Sequence, residues 1–362
     1  MKVYVDHTHL GRRVTGIERI TAELFAPHSL APVELVPVTA HGTLRMTLTQ
    51  TFGLPLRMTN PSAVLLCPGF PPSPLLLPFS ARVVPYIHDV FLMTRRSDLN
   101  TRAKLYMARP FALAVRRYPR FLVNSLDTAR KLRSFCRSDA QILPYRPRVR
   151  NVFGVDPAAR TPRNAAKPLR LLSIGTVEPR KNYGYAAKLL RELRRQGFAG
   201  ATLEIVGRNG WGGEQRALEQ EPGVVLSGYL AADEVRRRLM EADALLCTSH
   251  EEGLGLPLLE AQYAGLPVIA PDDAIFREVL GASGIFIDRR DCAAAAAAIA
   301  STLLPHEASA RYLELNARNL ERWNRLADDD RLQVTKMVAA LAEIDARTAN
   351  SRPMATSGRN SN

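Results

Sequence analysis

Cysteine is scarce in this 362-residue sequence: four residues, Cys67, Cys136, Cys247 and Cys292, with no CxxC pair and no Cys/His ligand spacing. That excludes a zinc ribbon or a disulfide scaffold, and the four read as small buried hydrophobes. Aromatics make up only 7% of the chain. Long apolar runs are also missing. Residues 63–79 carry five prolines, and the alanine-rich run after Cys292 is about twelve residues, short of the roughly 20 a membrane-spanning helix needs. No apolar h-region of about 7 to 15 residues follows Lys2, so the expectation is a cytoplasmic chain, at most peripheral on the inner face of the membrane. Neither GxxxxGK[ST] nor a GxGxxG after the first strand occurs, which argues against an NTPase or an ordinary dinucleotide dehydrogenase.

Acidic residues are short in one half only. Residues 1–167 hold 25 Lys plus Arg against 9 Asp plus Glu (+16), whereas residues 168–362 hold 24 against 26 (−2), giving the net +14. Such a field suits an anionic partner: nucleic acid, a phosphate-bearing substrate or an acidic membrane surface. The bland alternative is genome-driven arginine usage, since 42 of the 49 basic residues are Arg. A nucleic-acid-binding protein would want aromatic-rich basic patches, and the basic half has none of the usual motifs. With 46% hydrophobic residues, a chain of this length has material for about two domains, each with its own core.

Short apolar runs alternate with longer amphipathic segments, the pattern of parallel strands joined by crossover helices. Strands are predicted at 2–6, 33–38, 63–67, 82–88, 121–124 and 141–144, with helices over 16–25, 98–117 and 127–136. Periodicity fades over the Pro/Arg/Asn-rich residues 151–168, read as a linker. It restarts at Leu169, with further strands at 202–206, 224–227, 244–248, 267–270 and 284–287. From Asp291 to about Arg347 everything reads as helical, and 348–362 as a disordered tail. Two doubly wound α/β domains are the economical expectation, over 1–150 and 169–322.

The strongest stretch is CTSHEEGLGLPLLEAQYAGLPVIA, Cys247–Ala270. A strand ends near Thr248, a glycine-containing loop follows, and Pro257 sits where a helix begins. Gly253 and Gly255 permit close backbone approach, and the free N–H groups at a helix start suit an anion. Glu252 and Glu260 flank the turn with seven residues between. Either they accept hydroxyl hydrogen bonds from sugars at both ends of a diphosphate, or Glu260 complements the helix dipole and Glu252 is solvated. A second stretch, SIGTVEPRKN (Ser173–Asn182), places Arg180 and Lys181 near another helix start, where cations oppose the dipole. A bound anion explains them, as does a solvated surface pair. The first strand–helix loop carries Thr15 and Gly16, and His88 and Asp89 follow the fourth strand. His88 is either a satisfied structural histidine or a substrate contact, and His7 and His9 are left as structural. The run Asp328–Asp330 reads as a solvated cluster or a helix cap. No metal site is apparent.

EGLGLPLLE (Glu252–Glu260) resembles the E-x7-E signature of retaining glycosyltransferases of family 4. GTVEPRKN (175–182), GRNGWGGE (207–214), LSGYL (226–230) and ADALLCTS (242–249) stand in that family's order, and VTGIER (14–19), IHD (87–89) and VNSLDTAR (123–130) are similar to its acceptor half. The resemblance spans about residues 2 to 345. It implies a GT-B fold, α/β, with two Rossmann-like domains facing across a cleft and C-terminal helices (323–347) crossing back to the first, Trp323 standing before the crossing. It implies donor-binding roles for Gly175, Thr176, Arg180, Lys181, Gly207, Gly228, Glu252, Gly253, Leu254, Gly255, Leu256 and Glu260. Of these, Glu252 would bond donor-sugar hydroxyls, Glu260 the ribose, and Arg180 with Lys181 the diphosphate. His88 would contact the donor sugar, counted with Glu252, Arg180 and Lys181 as catalytic, while Thr15, Gly16 and Asp89 face the acceptor. Many members carry a basic residue at the position of Thr176, so diphosphate binding here rests on Arg180 and Lys181. The wording is most similar to bacterial polysaccharide mannosyltransferases, implying GDP-mannose as donor, a glycan or lipid-diphosphate-linked acceptor, and no metal or other cofactor, while the positive charge of the first half suits an anionic membrane surface as a further contact. A same-fold sugar-nucleotide epimerase is the alternative within the fold.

Overall fold

The structure is a computed structural model that describes residues 2–11, 16–94, 107–160, 166–304 and 308–350, with the side chains of 308 and 344–350 left aside. By contacts it forms two compact units. Unit 1 comprises Met1–Asn124, Thr128–Pro147 and Asp328–Asn362, and unit 2 comprises Ser125–Asp127 and Arg148–Ala327.

Each unit is built on one six-stranded, all-parallel sheet. In unit 1 the strands are β1 (Lys2–Asp6), β2 (Leu35–Val38), β3 (Ala63–Cys67), β4 (Val83–Ile87), β5 (Arg120–Val123) and β6 (Gln141–Pro144), in the order β2-β1-β3-β4-β5-β6. In unit 2 they are β7 (Arg170–Ile174), β8 (Thr202–Val206), β9 (Val224–Gly228), β10 (Ala244–Leu246), β11 (Val268–Pro271) and β12 (Gly284–Ile287), in the order β12-β11-β10-β7-β8-β9. Central strands such as β3, β4, β10 and β11 are buried at every position, because helices cover both faces of a parallel sheet. All twelve strands expected from the sequence are present, the ends shifting by one or two residues, as they do wherever a strand runs into an extended loop.

In unit 2 the chain proceeds outward from β7 through β8 and β9, then returns to β10 on the other side of β7. Adjacent loops therefore part in opposite directions after β7 and β10. Such a switch point leaves a crevice at the carboxyl edge of the sheet where open α/β folds bind ligands.

Three segments differ from the sequence expectation. Residues 148–150, read as the end of the first domain, and 151–160, read as part of a linker, cluster with unit 2: the Tyr263 hydroxyl donates to the Val149 carbonyl at 2.7 Å, and the Arg160 guanidinium donates to the carbonyls of Leu239, at 3.0 Å, and Ala242. Side chains from elsewhere hold this stretch, so it needs no periodicity of its own. A helical stretch at 43–58, a six-residue helix, a wider π turn and a second short helix, had no counterpart in the sequence reading. The late helix begins at Ala308 and runs to Asn350 without a break at 322, its residues clustering with unit 2 up to Ala327 and with unit 1 from Asp328. Trp323 is fully buried on it. Asp330, expected to be solvated, instead accepts from the Arg146 guanidinium at 2.7 Å with the two side chains only 12% and 3% exposed. Residues 348–350, expected to begin a disordered tail, are the last of this helix; the rest of that tail, 351–362, and the part of the predicted helix 98–117 that spans 98–106, lie outside the described residues.

Candidate functional site

The loop leaving β7 starts at Gly175, whose φ of 156° falls in a region L side chains rarely adopt. Its N–H donates to the Val206 carbonyl at 2.9 Å, and Gly207 N–H donates to the Gly228 carbonyl at 2.8 Å. The three glycines thus end β7, β8 and β9 side by side. A Cβ on Gly207 would lie 2.0 Å from the Gly175 carbonyl oxygen, so only glycine lets the two backbones approach. Gly207→Ala is therefore expected to cost about 3 kcal/mol or more, read as a fall in the urea midpoint. Gly184→Ala, where the nearest atom outside its own helix is 3.8 Å away, should be neutral or mildly stabilising.

Arg180 and Lys181 lie on a short 3-10 turn, Pro179–Lys181, and Asn182 in a left-handed conformation (φ 54°) turns the chain into the helix Tyr183–Arg195. The loop after β10 is tied to this turn through backbone. The Thr248 hydroxyl is 2.9 Å from the Lys181 carbonyl and 3.1 Å from that of Asn182, and His250 N–H donates to the Arg180 carbonyl at 2.8 Å. The side chains then converge. Glu252 Oε1 accepts from Lys181 Nζ at 2.6 Å and from the Ser249 hydroxyl at 2.7 Å, while Oε2 accepts from Arg180 Nη1 at 2.8 Å. Arg180 also donates to Glu178 Oε1, at 2.9 Å through Nε, and to the Glu251 carbonyl at 3.0 Å.

Burial pushes the Glu252 carboxyl pKa up, but the Lys181 and Arg180 charges and the Lys181 and Ser249 hydrogen bonds outweigh it and hold the group at about 2. Burial alone would lower the Arg180 pKa, yet Glu252 and Glu178 raise it above the ordinary arginine value. Glu252 and Arg180 are thus held in their charged forms across the physiological range. A cavity of about 20 Å³ beside Glu252 has room for about one water molecule.

The remaining expected residues fall as follows. The helix Leu256–Gln262 begins after Gly255 (φ 79°), with Pro257 in its first turn and Glu260 buried within it. Leu254 is buried and Gly253, Leu256 and Thr176 are partly so. Unit 1 holds His88, Asp89 and Gly16, and Thr15 lies outside the described residues. His88 Nε2 is 2.7 Å from the Pro68 carbonyl oxygen, which fixes Nε2 as the N–H and leaves Nδ1 an acceptor. That Nδ1 is buried and, among the described residues, has no hydrogen-bond partner. Burial lowers the imidazole pKa to about 4, more than the Pro68 contact raises it, so the ring is neutral at pH 7. Asp89 Oδ1 caps Phe91 N–H at 3.0 Å, and Gly16 opens the helix Gly16–Leu24 in an exposed position. Among the described residues no group of three or more His, Cys, Asp or Glu could hold a metal.

Ser249, Glu178 and Arg289 were not singled out from the sequence. Arg289 donates to the Ser249 carbonyl and, at 2.7 Å, to Asp273, and so braces the loop that carries Glu252. It follows β12, 37 residues beyond Glu252, and no local pattern announces a contact made through the order of the strands.

Residues 157–319 match the family described as glycosyl transferases group 1. The chain is 34% identical over 126 residues to the serotype-specific mannosyltransferase WbdA of Escherichia coli, covering 32% of this chain and 15% of that one. It is 36% identical over 155 residues to a glycogen synthase of Mycobacterium tuberculosis, covering 40% and 36%. It is 30% identical over 200 residues to the GDP-mannose-dependent alpha-(1-6)-phosphatidylinositol monomannoside mannosyltransferase of the same species, covering 48% and 50%. The matches thus span half or less of each relative's length. Among solved structures, the sucrose-phosphate synthase of Thermosynechococcus elongatus superposes with a TM-score of 0.66 at 15% identity, over 95% of this chain and 100% of that one. WaaG, a glycosyltransferase involved in lipopolysaccharide biosynthesis, gives 0.55 at 16% identity over 95% and 99%. The two parallel sheets with flanking helices and a long C-terminal helix are the fold of these proteins, in agreement with the GT-B expectation.

Proposed function

We propose that the chain, whose residues 157–319 match the group 1 glycosyl transferases, moves a hexose from a nucleotide sugar to a glycan or lipid-diphosphate-linked acceptor in polysaccharide biosynthesis. The donor is GDP-mannose, and transfer proceeds with retention and without a metal. The observation that carries this reading is the Arg180–Lys181–Glu252 network at the switch point of unit 2. Cleaving the bond between a sugar and a nucleoside diphosphate places growing charge on the departing diphosphate. Cations already oriented by a fixed carboxylate stabilise that charge without rearrangement, and so favour the transition state over the ground state. A carboxylate held near pKa 2 and paired to two cations is a poor base and a poor nucleophile. Glu252 therefore positions, and the departing phosphate takes the acceptor's proton on the same face of the sugar. Neutral His88, with its acceptor Nδ1, suits a hydrogen bond from a sugar hydroxyl.

A panel of nucleotide sugars, scored by thermal shift and then by transfer of labelled hexose, tests the donor. GDP-mannose is expected to give the largest shift and the only efficient transfer. A larger response to a glucose nucleotide would replace mannose in the assignment, and consumption of donor without any acceptor would replace transfer by epimerisation.

A further inference from the structure

The stretch 43–58 is apolar on two sides. Met46, Leu54 and Met58 are buried, and Gln50, on the same inward row, donates to the Thr8 hydroxyl at 2.8 Å. Displaced by two positions along this helical stretch stand Leu44, Leu48, Phe52 and Leu56, which are 73%, 49%, 59% and 72% exposed. Leu75, 49% exposed, stands on the neighbouring 3-10 segment Pro74–Arg82, which packs against 54–58. Large apolar side chains repeating every four residues on the outward row are not needed by the core, which the inward row already serves. A ridge of this kind marks a surface that something apolar covers.

Charge identifies what covers it. Between Glu34 and Asp89 the sequence contains no acidic residue, while Arg45, Arg57 and Arg82 fall within that interval. Arg45 and Arg57 are exposed and flank the ridge along the same stretch. An exposed apolar row with cations beside it, on a stretch that carries no acidic residue of its own and meets Asp6 only on its inward side through Gln50, matches an anionic lipid surface, where the apolar side chains enter the acyl boundary and the guanidinium groups meet phosphate headgroups.

The geometry points to residues 43–58 as the element that docks unit 1 on an anionic membrane, with Leu44, Leu48, Phe52 and Leu56 inserted into it. This deepens the reading of a lipid-linked acceptor and rests on it for its purpose, although the binding itself is measured without any acceptor. Wild-type protein is expected to co-sediment with vesicles of phosphatidylglycerol in phosphatidylcholine, and only weakly with phosphatidylcholine alone. Leu48→Ser with Phe52→Ser is expected to reduce that affinity at least about tenfold and to lower the thermal unfolding midpoint only slightly, since about half of each residue is already exposed. Arg45→Gln with Arg57→Gln should weaken binding and flatten its salt dependence. Serine variants that bind as wild type does would overturn the ridge as the docking element while leaving a charge-only attraction standing. Equal binding to neutral and anionic vesicles would overturn the anionic surface. A wild-type dimer that the serine pair converts to monomer, with lipid binding unaltered, would assign the ridge to a second copy of the chain. Hexose transfer to a soluble acceptor, followed in the same variants, separates failure of the docking proposal from failure of the glycosyltransferase reading.

Discussion

Glu252→Gln is expected to lower hexose transfer by on the order of 10²- to 10³-fold while nucleoside diphosphate binds as tightly as to the wild type, or more tightly. The opposed directions follow from the network. Glu252 gives one oxygen to Lys181 and the other to Arg180, and a glutamine can still accept from one cation but turns its amide N–H groups toward the other. The positions of both cations loosen, which removes preorganisation in the transition state. At the same time a buried negative charge disappears beside two positive ones, so an incoming diphosphate meets a stronger field. Breaking a buried pair by removing one partner costs about 3 kcal/mol or more, so the unliganded variant should melt lower. Added GDP should then raise its midpoint by more than it raises the wild type's. Isothermal calorimetry with GDP and a transfer assay measure the two halves separately. Normal turnover in the variant, or loss of GDP binding with turnover in proportion, would contradict the positioning role.

The paired substitution Arg180→Ala and Lys181→Ala is expected to weaken nucleotide-sugar binding by about 10²- to 10⁴-fold, since a hydrogen bond to a charged group contributes about 1.5–3 kcal/mol and two are removed. It also strips Glu252 of both opposing charges. Burial would then act with little opposition and carry its pKa upward from about 2. Arg180→Lys alone should recover only part of the loss, because Arg180 holds Glu178, Glu252 and the Glu251 carbonyl with a planar fork that a point charge cannot reproduce. Thr176 supplies no cation to compensate. Calorimetric titration with GDP-mannose checks the series, and an affinity unchanged in the double variant would place the diphosphate elsewhere.

Much of the fold is legible in the residues because the central strands are buried along their whole length and so stand out as apolar runs, as at Ala63–Cys67 and Val268–Pro271. The stretch at 43–58 is less legible because its inward and outward rows are both apolar, which erases the contrast that reveals a helix. Residues 148–160 hide for a different reason: their hydrogen bonds go to Tyr263, Leu239 and Ala242, partners about 80 to 115 positions away. Of the site, the glycines and the Arg180–Lys181 pair can be read directly, since a left-handed turn and adjacent cations at a helix start have few local explanations.

The sequence by itself therefore determined two doubly wound units, the loops that carry chemistry, and the concentration of positive charge in the first half of the chain. Only the tertiary structure decided what those charges do. Glu252 and Lys181 are 71 residues apart, and they meet because β7 and β10 are neighbours at the point where the strand order reverses. A carboxylate that could equally have been solvated is instead shared between two cations, and a leucine row that could have been core faces water. Both outcomes depend on which strand lies beside which and which side of a helix the core covers, and local sequence patterns do not encode either choice.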